Sequence, residues 1–308
     1  MNNIIMNFDG IEIYILCYCS FFCCDYQIRC INHFCKDKFK IIIFDSNLGV
    51  NPTDSKKKES ICKEKNIEFI TMPNKEVFNE RDEPSYILGE KLNYLYYEYI
   101  LKRNPKYFGI IDQDMFMIKP FSIIERLDKY GMWGDIQEAA NFPKSGDGMR
   151  KYNINDSPWV LHPWLSFYKL DYVRPYKLDF LPIGDGNLQF DTGGGNYEAF
   201  IKHLTVNKED YWFRENIIQY YPFHEISNAG PPPFENLYFN YHDKKIYGQI
   251  QINNGFLHLL CSSKMSDDQL NPKIALCKGM LDGILLSNNI IFDKTNGYET
   301  HGSPGNKI

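Results

Sequence analysis

Tyr107-Phe108-Gly109-Ile110-Ile111-Asp112-Gln113-Asp114-Met115-Phe116-Met117-Ile118 decides how the 308-residue chain is read. An apolar run of this length without helical periodicity is a strand buried on both faces, the kind that lies inside a parallel sheet. It ends on two carboxylates separated by one residue, followed by a second apolar run. In an open α/β sheet ligands sit beyond the carboxyl ends of the strands. Two acids there can share a hard divalent cation, which in turn holds a diphosphate.

Working outward, the upstream chain supplies further strand and helix units. Ile11 to Cys19 is a continuous apolar run, and Phe21 to Phe34 mixes apolar and polar positions at helical spacing. Lys40 to Phe44 is a second strand stopped by Asp45. The charged run Asp54 to Lys65 is expected to be an exposed helix, and Ile67 to Met72 a third strand. Successive βα units imply a parallel sheet. The expected fold is therefore α/β: one Rossmann-like domain over residues 1–293, with a mostly parallel central sheet flanked by helices and a small β and loop region on the acceptor side. Residues 294–308 are polar and read as a flexible tail or linker. Asp45, at a strand's carboxyl end, could hold a ribose or base or could simply form a turn. Ser85 starts a helix with Leu88, Leu92 and Leu95 on one face, which ends before Pro105. From it Lys91 and Asn93 could reach a nucleotide sugar, or serve as a solvated residue and an intrahelical partner.

Downstream, Phe121 to Tyr130 reads as a short amphipathic helix and Gly131 to Gly134 as a strand. Asp135 to Pro158 lacks periodicity and is expected to be an acceptor-side loop. Trp159 to Tyr168 is a strand whose Pro163 places it near an edge or a bend. In Asp191-Thr192-Gly193-Gly194-Gly195 the glycines either admit a ligand to the backbone or make a turn. Asp191 is either an N-cap or a carboxylate beside the reacting group. A late hairpin, Lys245 to Gln251 and Gly255 to Leu260, carries His258 among apolar residues, where a lone histidine is more often a core residue than a ligand.

Composition narrows the classes. A net charge of -5 leaves no basic footprint for nucleic acid. The aromatic share of 16% is high enough that some rings are expected at a cleft. Nine cysteines without a signal peptide favour reduced thiols and a cytoplasmic location. Six of them lie between Cys17 and Cys35, but the paired spacing of a structural zinc site is missing, so they read as buried core residues. Ile11 to Cys24 is apolar but shorter than the roughly 18 residues a membrane span requires.

Asp112-Gln113-Asp114 after an apolar strand, a preceding helix with Lys91 and Asn93, and a late strand carrying His258 together resemble the metal-dependent nucleotide-sugar glycosyltransferases of the GT-A fold, over roughly Ile11 to Met265. His258 to Lys264 is also similar to the H-x-x-G-x-x-K-P-W ending of the glycogenin-like retaining transferases. Here Cys261 stands at the glycine, and Met265-Ser266 at the Pro-Trp pair. The resemblance implies transfer of a sugar from a nucleoside-diphosphate donor, a UDP-sugar first, to a glycan or glycoprotein hydroxyl. It implies Mn2+ or Mg2+ held by Asp112, Asp114 and His258, with Lys264 near phosphate. Asp191 would be the base of an inverting reaction, with Asp135 or Glu138 in reserve, and Asp45, Lys91, Asn93, Asp112, Gly193 and Gly194 would line the donor site. The competing expectations are a nucleotidyltransferase or phosphohydrolase using the same acids, and a non-catalytic sugar-binding module.

Overall fold

The structure is a computed structural model that describes residues 8–18, 20–46, 52–73, 84–139, 158–184, 189–204, 219–222, 249–253, 255–259 and 272–286. The amino-terminal half is β1 (Ile11–Cys17), α1 (Phe21–Phe34), β2 (Phe39–Asp45), α2 (Pro52–Glu64), β3 (Glu68–Thr71), α3 (Pro84–Tyr94), α4 (Leu101–Arg103) and β4 (Tyr107–Asp112). A π-helical turn, Leu95–Ile100, joins α3 to α4, and Asn104 ends the helix in the left-handed conformation. There follow β5 (Met115–Met117), α5 (Ile123–Tyr130), β6 (Met132–Glu138), β7 (Trp159–Lys169), α6 (Leu170–Val173), β8 (Ile183–Gly184), β9 (Gln189–Phe190) and α7 (Gly195–Ala199). The described chain closes with β10 (Gln219–Pro222), β11 (Gln249–Asn253), β12 (Phe256–Leu259) and α8 (Pro272–Leu286).

Six strands form the central sheet in the order β3-β2-β1-β4-β7-β6. The first four are parallel, and β7 runs antiparallel between β4 and β6. This is the mostly parallel α/β sheet flanked by helices that the apolar runs imply. Along β1 the two faces alternate: Ile11, Ile13, Ile15 and Cys17 pack toward α1, α5 and α8, and Tyr14 and Leu16 toward α3 and α6. Both layers are largely apolar, so the strand interiors are apolar on both sides. Strand order reverses between β1 and β4, which makes the space beyond their carboxyl ends the natural crevice of the fold.

β5, β12, β11 and β10 build a second, antiparallel sheet. β5 continues directly from the acidic turn, and β12 lies against it with His258 opposite Met115. A histidine near the end of the chain is thereby delivered beside Asp114.

Several sequence expectations change. Asp135 to Glu138 is strand, because β6 extends through it; residues 140–157 lie outside the described residues. α2 is not merely an exposed helix, since it buries Asp54, Ser55, Lys58 and Cys62. β7 is interior; its proline is tolerated in a bulge described below. Rings are spent on the core, as in the stack of Phe121, Trp133 and Phe167, and Tyr97 is the one exposed large aromatic among the described residues. α8 was not anticipated, although Ile274, Cys277, Leu281 and Ile284 repeat at helical spacing and pack onto α1. No described helix is long and apolar enough to cross a membrane. The 294–308 tail lies outside the described residues.

Candidate functional site

The turn Asp112-Gln113-Asp114 joins two sheets and is held from beneath. Gln27, fully buried on α1, donates from Nε2 to the carbonyls of Asp112 at 2.9 Å and Met115 at 2.8 Å, bracketing the turn. Gln113 is also buried, and its Oε1 accepts the Tyr18 backbone N–H at 2.7 Å, tying the turn to the end of β1 across the strand-order reversal. The middle residue of the motif is therefore a brace that leaves the two aspartates to face elsewhere. The Asp112 carboxylate accepts the Gln113 backbone N–H at 2.8 Å and is half-buried, while Asp114 is 2% exposed.

His258 Nε2 lies 3.3 Å from Asp114 Oδ1, and both side chains are buried. Trp164 packs against the imidazole edge-to-face, with ring centroids 4.8 Å apart at 70°. Trp164 is itself stacked on His162 at 3.6 Å and donates from Nε1 to Asp135 Oδ2 at 2.6 Å. His162 Nδ1 accepts the Trp164 backbone N–H at 3.4 Å, so the neutral ring carries its proton on Nε2. Burial pulls the His162 pKa down to about 3; Asp191 acts against this, and His258 adds to it. His162 is thus an uncharged donor. Sequence reasoning missed both His162 and Trp164. The available signal was Pro163, a residue that interior strands tolerate only at a bulge.

The expected metal ligands do meet in part. Asp114 and His258 are adjacent, and a carboxylate with an imidazole is a donor set suited to a divalent cation. Among the described residues, however, no group of three such side chains is placed to hold a metal ion, so of the expected triad only Asp114 and His258 are brought together. On α3, the Lys91 ammonium stands 5.8 Å above the Tyr18 ring, at the crevice between β1 and β4.

Other candidates are placed differently. Asp45 is fully buried, with Lys58 Nζ at 2.7 Å from one carboxylate oxygen and Ser55 Oγ at 2.5 Å from the other. It fixes α2 to the sheet and is not open to a ribose. Lys58 also donates to the carbonyl of Tyr18, and burial, which opposes its charge, is outweighed by nearby thiols and Asp45 so that its pKa rises. Asn93 spans Asp179 Oδ1 and the Phe180 N–H at 2.8 Å each, bracing the 179–181 segment instead of facing the crevice. Gly193 and Gly194 make a turn: their N–H groups go to the carbonyls of Phe180 and Asp191, leaving none for a phosphate. Gly193 has φ +94°, and a Cβ there would come within 3.0 Å of Pro163, which shows the turn packed onto β7.

Asp191 is exposed and caps no helix; α7 begins at Gly195. Burial opposes its charge, but hydrogen bonds from Ser85 and Thr192, with His162 nearby, lower its pKa below the ordinary carboxylate value. A carboxylate stabilised in this way is a weaker general base. Asp135 is 3% exposed behind Trp164, and the Glu138 side chain and Lys264 lie outside the described residues. An open depression of about 730 Å3 lined by Arg29, Lys40, Lys65 and Asn66 lies at the opposite, amino-terminal ends of β2 and β3, so it has no part in this site.

No known family profile matches the chain, and no curated protein is similar to it in sequence. Solved structures do match at low scores. The mannosyltransferase PcManGT from Pyrobaculum calidifontis, in complex with GDP-Man and Mn2+, is 11% identical over 55% of this chain and 47% of that one, with a TM-score of 0.32. The mannosyltransferase Ktr4p from S. cerevisiae is 9% identical over 53% and 57%, with a TM-score of 0.33, and its complex with GDP scores alike. The chain spans about half the length of these proteins. Likeness at this level assigns no role to the chain.

Proposed function

We propose that the protein is a metal-dependent glycosyltransferase using a nucleoside-diphosphate sugar. The observation that carries the reading is the 3.3 Å approach of His258 to Asp114 at the turn beyond β4, beside the reversal point of a 3-2-1-4 parallel sheet. Asp114 and His258 would hold the cation and Asp112 would complete the set; the bound ion would supply Lewis-acid stabilisation to the leaving diphosphate. Lys91, reaching over Tyr18, adds positive charge where the phosphates would lie. His162, an uncharged donor, offers its Nε2–H to a substrate oxygen without repelling the ion. Gln27 and Gln113 hold the turn so that the acids need no reorganisation on binding. Asp191, with its lowered pKa, stays ionised near neutrality and suits charge stabilisation at the reacting sugar better than strong-base chemistry.

Donor hydrolysis tests the proposal directly. A panel of UDP- and GDP-sugars is incubated with the full chain and Mn2+, and free nucleotide is measured. Turnover of one donor that is lost on adding EDTA, and reduced at least a hundredfold in Asp114→Ala, is expected; an unchanged rate in that variant would sink the site assignment. Release of pyrophosphate or of inorganic phosphate would instead identify a phosphoryl- or nucleotidyl-transfer enzyme.

A further inference from the structure

The pairing of β6 with β7 breaks at one place. Gly134 faces Ser166, yet Ile136 faces Leu161, so β7 advances five residues where β6 advances two and three residues are extruded. The extra length falls at His162-Pro163-Trp164. On the other side of β7, pairing with β4 stops at Leu165 opposite Ile111, one residue before the acidic turn. Bulges of this kind re-aim side chains beside functional clefts. This one is built in: a Cβ on Gly134 would lie 2.3 Å from the Leu165 carbonyl, so only glycine lets the two backbones close at the point of departure.

The bulge carries Trp164 onto His258. Its indole is fixed at one end by Asp135 at 2.6 Å, stacks on His162, and makes a T-shaped contact with the imidazole that faces Asp114. A continuous chain of contacts, Asp135 to Trp164 to His258 to Asp114, thus runs from the middle of β6 to the acidic turn. An imidazole that binds a cation gains affinity from whatever restricts its ring to the productive orientation, typically tenfold to a hundredfold.

Resting on the proposed cation role of Asp114 and His258, we infer that Trp164, anchored by Asp135, is the positioning residue that orients His258 toward the ion. Asp135 acts as a hydrogen-bond acceptor for the indole and not as a general base. Neither residue touches the cation.

Mn2+ titration of the full chain, followed by the electron paramagnetic resonance signal of the free ion, separates the two claims. Thermal unfolding of each variant confirms the fold. Asp114→Ala and His258→Ala are expected to weaken Mn2+ binding at least tenfold. Trp164→Phe, which keeps a ring but loses the N–H, and Asp135→Ala, on a different strand, are each expected to weaken it about tenfold to a hundredfold. Asp135→Asn keeps the acceptor oxygen and should restore binding to within about threefold. Normal Mn2+ affinity in Trp164→Phe and Asp135→Ala, with loss in the first two variants, would overturn the positioning role and leave the site intact. An Asp135→Asn loss equal to that of Asp135→Ala would overturn the acceptor account. No effect of Asp114→Ala or His258→Ala would remove the site reading and this inference together.

Discussion

At the scale of single residues, Gln113 and His162 show how much of the site lies outside the obvious acids. Gln113 has no charge to advertise a role, yet it joins the acidic turn to β1 through the Tyr18 N–H. His162 has a pH signature that can be measured. Its pKa is about 3 in the folded protein against an ordinary 6.5, with burial the main cause. Above pH 6.5 the ring is neutral in both states and stability does not depend on it. As pH falls from 6.5 toward 3 the unfolded chain takes up a proton that the folded one refuses, so stability falls across that window. Denaturant unfolding between pH 7.5 and 4 should show this loss, and His162→Gln should flatten it; an unaltered slope would mean that other groups govern the acid side.

Single elements explain what the sequence could and could not convey. The strand character of β1, β2 and β4 was legible because burial on both faces forces uninterrupted apolar runs. The strand-borne position of His258 was legible, but its neighbour was not, since the pairing of β12 with β5 is a contact between distant segments that local pattern does not encode. The bulge in β7 was hinted at only by Pro163. In the Gly193 turn, the glycines that pointed toward a phosphate serve left-handed backbone and close packing against β7. α2 misled for a different reason: its run of lysines suggested solvent on all sides, whereas Lys58 is drawn fully inside to meet Asp45. Removing one member of a buried pair strands the other charge, so Lys58→Met is expected to lower stability by about 3–5 kcal/mol. Adding Asp45→Leu to it should recover most of that loss, because both charges are then gone. Urea unfolding of the single and double variants checks this; a double variant as unstable as the single one would show that the pair holds more than itself.

Across the whole molecule, one charged network ties three strands and a helix together on a single face of the sheet. Arg103 on α4 bonds Glu12 of β1 at 3.1 and 3.2 Å and Glu68 of β3 at 2.8 and 3.1 Å, and Lys40 of β2 joins Glu68 at 2.7 Å. The network sits at the amino-terminal ends of the strands, opposite the candidate site, where stability does not compete with ligand binding. Arg103→Met is expected to speed amide hydrogen exchange in α3 and β3 while leaving Mn2+ affinity within about twofold, because the two ends of the strands are independent. Equal loss at both ends would mean that the layers are mechanically coupled.

The adjacency of β5 and β12 also has a consequence in time. A nascent chain that has emerged as far as residue 253 already holds every strand of the six-stranded sheet, with the acidic turn in place and Gln27 beneath it. His258 is still to come. The central sheet can therefore form on the ribosome before Asp114 meets His258, and on the proposed reading cation binding would wait until β12 has been made and docked against β5.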